Sequence, residues 1–209
     1  LRRQRQMCIR DSFMPVPITN ASLSSNIDNA LNFSESHNVV GYVKGSESPD
    51  EYIMIMAHWD HLGIDPNLEG DQIYNGALDN ATGTAAVMHM AEVFSERTPK
   101  RSIVFIGLTA EESGLLGSAY MAENMPFKAS QTIAGLNMDA LSYAGKARDI
   151  IIIGYGASEL EPIMEKHAAK EDKYLAPDKA PEKGFFYRSD HIIFAKKGIP
   201  VLYADPGID

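Results

Sequence analysis

Apolar residues gather along the chain in short runs, and these runs alternate with segments of helical period. VVGYVKG at 39–45 and EYIMIMAH at 51–58 flank the turn-rich spacer GSESPD and predict two strands, the second apolar enough to sit inside a sheet. A long polar loop follows from Trp59 to Asn80, with glycines at 63, 70 and 76. Beyond it the pattern predicts a helix from Ala81 to about Ser95, with an apolar stripe through Val87, Met90, Ala91 and Phe94. RSIVFIGLTA at 101–110 is the strongest strand candidate. A short helix at 115–125, strands at 131–140 and 149–154 and a helix at 158–171 follow. The last part reads as a lysine- and proline-rich loop at 173–184, a short helix near 191–198 and a strand at 199–204. Strands buried on both faces and alternating with helices predict an α/β fold, a three-layer sandwich around a mainly parallel central sheet.

Composition narrows the possibilities. At 209 residues, with 44% hydrophobic and 22% charged, the chain is long enough for one full core and has globular character. A net charge of −9 argues against nucleic acid as a partner, because phosphate binding needs a basic stripe and the one basic cluster is LRRQR at 1–5. No apolar run approaches bilayer length, so no membrane span is expected. The single cysteine, Cys8, excludes an intrachain disulfide and assigns no compartment. Residues 1–12 resemble a non-native leader and residues 13–37 a polar lead-in segment. The end, YADPGID, closes neither a helix nor a strand, and further coding sequence is expected beyond Asp209.

In α/β folds of this kind, sites form outside the carboxyl ends of the strands. His58 and Asp60 follow IMIMA, Glu111 and Glu112 follow IVFIGLTA, Asp139 ends IAGLNM, and Asp79 closes the long loop. Carboxylates gathered on one edge either take up protons or need a cation. With histidine and without cysteine, the donors suit zinc, cobalt or manganese, whereas an all-oxygen calcium shell would not need His58. Asp79 could bridge two ions, with Glu112 on one and His58 with Asp139 on the other; paired ions activate water and polarise a substrate oxygen. Glu111 would then be free to act as general base, and Asp60 to accept the imidazole N–H of His58. Blander readings stay open: Asp79 as a helix cap, and the two glutamates as a solvated pair. His61 reads as loop or pocket wall in preference to a further ligand. His37, His89 and His167 read as surface or packed groups, Trp59 as a pocket wall, and the methionines as core filling.

Five stretches, AHWDHLG (57–63), YNGALDNATG (74–83), LTAEESGLLGS (108–118), NMDA (137–140) and YRSDHIIF (187–194), occur in an order that resembles the M28 family of co-catalytic zinc peptidases. The resemblance implies a zinc aminopeptidase-like (phosphorylase/hydrolase-like) fold, with residues 38–209 as an incomplete catalytic domain. It implies two Zn2+ ions, replaceable by Co2+ or Mn2+, with His58 and Asp139 on one, Glu112 on the other and Asp79 between them. Glu111 would be the general base and Asp60 the residue that orients His58. A peptide substrate with a free N-terminus, a cis Asp79–Asn80 bond and a periplasmic or secreted location are further implications. The family uses five protein ligands, and these residues account for four. The stretch containing Asp190 and His191 resembles the substrate-pocket segment that precedes the fifth, so both are expected in the pocket and the last ligand beyond Asp209. Related folds leave two other readings: a single-zinc glutaminyl-peptide cyclotransferase, and a non-catalytic receptor-like relative, which would have no use for a spare base at Glu111.

Overall fold

Alternation within the two strongest apolar runs builds both sides of the core. The computed structural model describes residues 22, 24–27, 33–141 and 145–209; the leader expected at 1–12, with Cys8, lies outside them. Within the unit Leu1–Ser34 the described residues form no helix or strand, and every element belongs to the unit Glu35–Asp209. The strands are β1 (Val39–Val43), β2 (Ser48–His58), β3 (Gly63–Ile64), β4 (Ile73–Tyr74), β5 (Arg101–Leu108), β6 (Thr132–Asn137), β7 (Asp149–Ile153), β8 (Tyr174–Pro177) and β9 (Val201–Pro206). The helices are α1 (Thr82–Ser95), α2 (Leu116–Glu123), α3 (Glu161–Ala168) and α4 (His191–Ala195).

Met54 and Met56 of β2 and Val104, Ile106 and Leu108 of β5 face one side of the sheet, where Met121 of α2 and Phe194 of α4 cover them. The intervening Ile55, Ala57, Ile103 and Phe105 face the other side, against Val87 of α1. Because successive strand residues point to opposite faces, a run apolar at every position is stable only when both faces are covered. Each of these side chains larger than alanine contributes about 1.5–3 kcal/mol when fully buried. A third cluster, Ile152, Leu175, Leu202 and Ala204 with Ala168 of α3, extends the core under the far end of the sheet.

The seven-stranded sheet has the order β1-β5-β2-β6-β9-β7-β8. β2 runs parallel to β5 and β6, β6 to β9, and β7 to β8, whereas β1 on β5 and β7 on β9 are antiparallel. This is an α/β sandwich with a mixed, largely parallel sheet flanked by helices, as the sequence pattern predicts. Parallel pairing puts the carboxyl ends of β2, β5, β6 and β9 along one edge.

Several boundaries differ from expectation. The strand expected over 101–110 stops at Leu108 and that over 131–140 at Asn137. Ala110 and Ala140 each take φ of 53°, a left-handed backbone that cannot continue a strand. The helix expected over 158–171 shortens to α3 and a 3-10 turn at Ala169–Glu171. The loops expected over 59–80 and 173–184 contain the ribbon β3–β4 and the outer strand β8, respectively.

Candidate metal centre

Three elements bring His58, Asp79 and Asp139 together. β2 delivers His58, which is 1% exposed; Asp139 lies just past β6, and Asp79 sits in an irregular turn at Ala77–Ala81. His58 Nε2 lies 3.1 Å from Asp139 Oδ1 and 3.1 Å from Asp79 Oδ1. The peptide bond Asp79–Asn80 is cis. Asn80 is buried, and its Nδ2 donates to the Met138 carbonyl (3.0 Å) while its Oδ1 accepts from the amides of Gly83 (3.0 Å) and Ala140 (3.1 Å). It therefore ties the segment around Asp139 to the start of α1. Gly83 leaves room for this, since a Cβ there would collide with the Asn80 side chain and the Met138 carbonyl. Ser189 donates to Asp139 Oδ2 (2.7 Å) and accepts from Asn137 Nδ2 (2.8 Å), fixing the carboxylate plane. Thr84 Oγ1 donates to the carbonyl of His58 (2.9 Å).

A second group forms around the same aspartate. His61 Nδ1 lies 2.9 Å from Glu112 Oε1, and donor atoms of His61, Asp79 and Glu112 all fall within 4.8 Å of one another. The same limit holds for His58, Asp79 and Asp139, so Asp79 belongs to both groups. Asp60 joins the two strand ends behind them. Its carboxylate accepts from the amides of Glu111 (3.1 Å) and Glu112 (3.4 Å), while His58 Nδ1 lies 3.1 Å from its carbonyl oxygen and 3.7 Å from Oδ1.

The electrostatics are those of a cluster that seeks positive charge. Burial alone would lower the His58 pKa, but the adjacent Asp139 and Asp60, with the charge of Glu111, raise it to about 11. Burial pushes Glu111 up to about 8; the His58 charge opposes this and Asp190, Asp139 and Glu112 reinforce it. Glu111 is buried and belongs to neither donor group. Burial also raises Asp190 to about 6 and lowers His191 to about 4.

Asp190 and His191 are fully buried, and neither enters a donor group. The His191 ring packs against Phe186 and Tyr203, with centroids 5.1 and 5.0 Å away. Trp59 is not brought to the cluster: it is half-exposed, its indole N–H donates to the His37 carbonyl (3.2 Å), and its ring lies over Gly107. His37, His89 and His167 are exposed. A cavity of about 380 Å³ is lined by Ala140, Ile151, Ile153, Phe185 and Tyr203 together with the charged Asp149, Asp178, Lys179 and Asp205.

Sequence reasoning set His61 apart from the ligands and did not single out Asn80 or Ser189. Asn80 and Ser189 stand in the NGALDNATG and YRSDHIIF stretches, and a polar side chain beside a candidate ligand was the available signal. The donor set fits divalent ions of the zinc class. It contains nitrogen and oxygen only, and His61 Nδ1, Asp79 Oδ1 and Glu112 Oε1 are buried atoms without a hydrogen-bond partner.

Residues 38–207 match the profile of peptidase family M28. A probable zinc metalloprotease of Pyrenophora teres f. teres (strain 0-1) is 36% identical over 112 residues, which cover 53% of this chain and 23% of that protein. The chain thus spans about a quarter of the length of this curated relative. Among solved structures, BSAP, a zinc aminopeptidase from Bacillus subtilis, superposes with a TM-score of 0.63 at 24% identity, covering 81% of this chain and 40% of that one. Bacteroides thetaiotaomicron glutaminyl cyclase superposes with a TM-score of 0.58 at 22% identity, covering 81% and 63%. At these identities the two structures speak to the fold.

Proposed function

The chain belongs to peptidase family M28, and on that footing we propose that the site is the two-metal centre of an exopeptidase that hydrolyses the N-terminal peptide bond of its substrate. The observation that carries this reading is one carboxylate, Asp79, shared by two donor groups, with the buried Glu111 in neither. His58, Asp79 and Asp139 would hold one divalent ion, and Asp79 with Glu112 would contribute to the other. Bound zinc would supply Lewis acidity toward the scissile carbonyl and toward water. Glu111 takes the proton of the attacking water at its carboxylate and returns it to the departing amine. In the metal-free chain burial holds its pKa up at about 8; positive charge at the two positions would lower it and favour the carboxylate that accepts the proton. Asp60 positions this base, because its carboxylate holds the amides of Glu111 and Glu112 while its carbonyl meets His58. The cavity that begins at Ala140, next to Asp139 in the chain, would receive the first side chain; its lining combines Ile151, Ile153, Phe185 and Tyr203 with the charged Asp178, Lys179 and Asp205.

Replacing the base tests the assignment. Glu111→Gln is expected to lower turnover of aminoacyl-nitroanilides by about 10²–10⁴-fold while zinc content stays near that of the parent chain. A large loss of zinc would make Glu111 a ligand and sink its role as base. The fold likeness to a glutaminyl cyclase supplies the second reading. One bound zinc with cyclisation of an N-terminal glutaminyl peptide would favour it over hydrolysis.

A further inference from the structure

We propose that Asp205 selects for a positively charged first side chain, such as that of lysine or arginine, in the cavity that receives it. This rests on the exopeptidase reading and adds a substrate class to it. The cavity floor is one face of the antiparallel pair β7–β9. Ile151 stands opposite Asp205 and Ile153 opposite Tyr203, and all four line the cavity. Residues two apart in a strand point to the same side, so Asp205 places a carboxylate in a row that its neighbours fill with apolar and aromatic groups. The same strand ties the cavity to the donor groups. In the parallel pair β6–β9, Asn137 stands opposite Tyr203, and Asp139 and Asp205 each lie two residues further on.

Among the described residues, three carboxylates and one amine line the cavity, and the carboxylates differ in what they meet. Asp149 Oδ1 accepts from the amide of Asp209 (2.8 Å), and Asp178 Oδ1 from that of Ala180 (2.9 Å). Asp205 Oδ1 is enclosed and has no hydrogen-bond partner, and Lys179, the amine of the lining, does not reach it. An enclosed acceptor left open destabilises the chain, and a donor entering the cavity relieves that cost. Burial, with the charges of Asp139 and Asp178, holds the Asp205 pKa up at about 7; a cation beside it would lower that value and form a charge-assisted hydrogen bond. Ile151, Ile153 and the Tyr203 ring suit the methylene stem of lysine or arginine, which buries its carbons while its end group seeks a polar partner. A leucine side chain would fill the floor and leave the oxygen open.

Binding of n-butylammonium, the lysine side chain on its own, tests this, because it needs neither metal position to be complete. Saturation-transfer NMR of the full chain, with zinc present throughout, should show n-butylammonium bound at least tenfold more tightly than 1-butanol. Asp205→Asn should weaken the cation by about tenfold or more. Asp205→Leu, which continues the apolar row, should reverse the preference, and it carries the test if the amide variant does not fold; circular dichroism reads folding of both. Asp178→Asn keeps its acceptor for the Ala180 amide and should cost less. Undiminished cation binding in a folded Asp205→Asn or Asp205→Leu chain, an equal loss in Asp178→Asn, or a parent chain that prefers 1-butanol would overturn the proposal. Hydrolysis separates it from the reading it rests on. Faster release of nitroaniline from the leucyl than from the lysyl substrate would overturn the charge selectivity and leave the exopeptidase standing. Cation binding through Asp205 with neither substrate hydrolysed would support the selectivity of the cavity and count against the exopeptidase.

Discussion

The two donor groups that share Asp79 are built in different ways. In the first, His58 comes from the interior of the sheet with its side chain 1% exposed, Asp139 is 12% exposed, and Asn80, Ser189 and Thr84 brace them from three directions. In the second, His61 and Glu112 are 21% and 22% exposed, and the histidine rides on a loop. Burial strengthens each electrostatic contact and fixes the ligands in advance, so the first position should bind its ion tightly and exchange it slowly. The second is open enough to load and unload. One aspartate therefore joins a rigid, enclosed half to an accessible half.

Removing the shared group tests this contrast most severely. Asp79→Asn is expected to weaken both positions by more than the roughly 10–100-fold typical of outer partners, with activity lost; chelator competition reads each affinity. Loss at one position alone would show that the carboxylate is not shared. Ser189→Ala touches only the enclosed half, through the Asp139 carboxylate. A loss of roughly 10–100-fold at the first position, with the second unchanged, is expected from the same competition. The smallest effect concerns protons. With its pKa raised to about 11, His58 is protonated at neutral pH in the metal-free chain, and a metal ligand must be neutral. Entry of the first ion should therefore release about one proton, and affinity at that position should rise about tenfold per pH unit as pH increases below that pKa. Calorimetry in buffers of different ionisation enthalpy counts the proton; a count of zero would mean that His58 carries no charge to displace.

Much of the fold is legible because burial on both faces leaves a mark at every position, as in IMIMA and IVFIGL. β8 is not, because four residues at the outer edge ending in Pro177 carry little apolar signal and sit in a stretch rich in lysine and proline. Candidate ligands at strand ends are legible for the same reason as the strands: an acid directly after a fully apolar run has one place to go. Asn80 and Ser189 act across 58 and 50 positions of chain, and nothing local announces those contacts. His61 is the sharper case. Counting residues from His58 places it in the loop, and only the turn of the chain after Asp60 brings it to Glu112.

Ala110 and Ala140, in left-handed backbone next to Glu111 and Asp139, have a mechanical consequence. A methyl group resists that conformation, so each residue is held there by its surroundings at a cost of about 1–3 kcal/mol. Glycine would sit there without protest and would also swing away freely. With alanine, the exit angle of each strand has few alternatives, and the side chain that follows Ala110 or precedes Ala140 inherits that stiffness. The two methyls act as stops that keep Glu111 and Asp139 aimed.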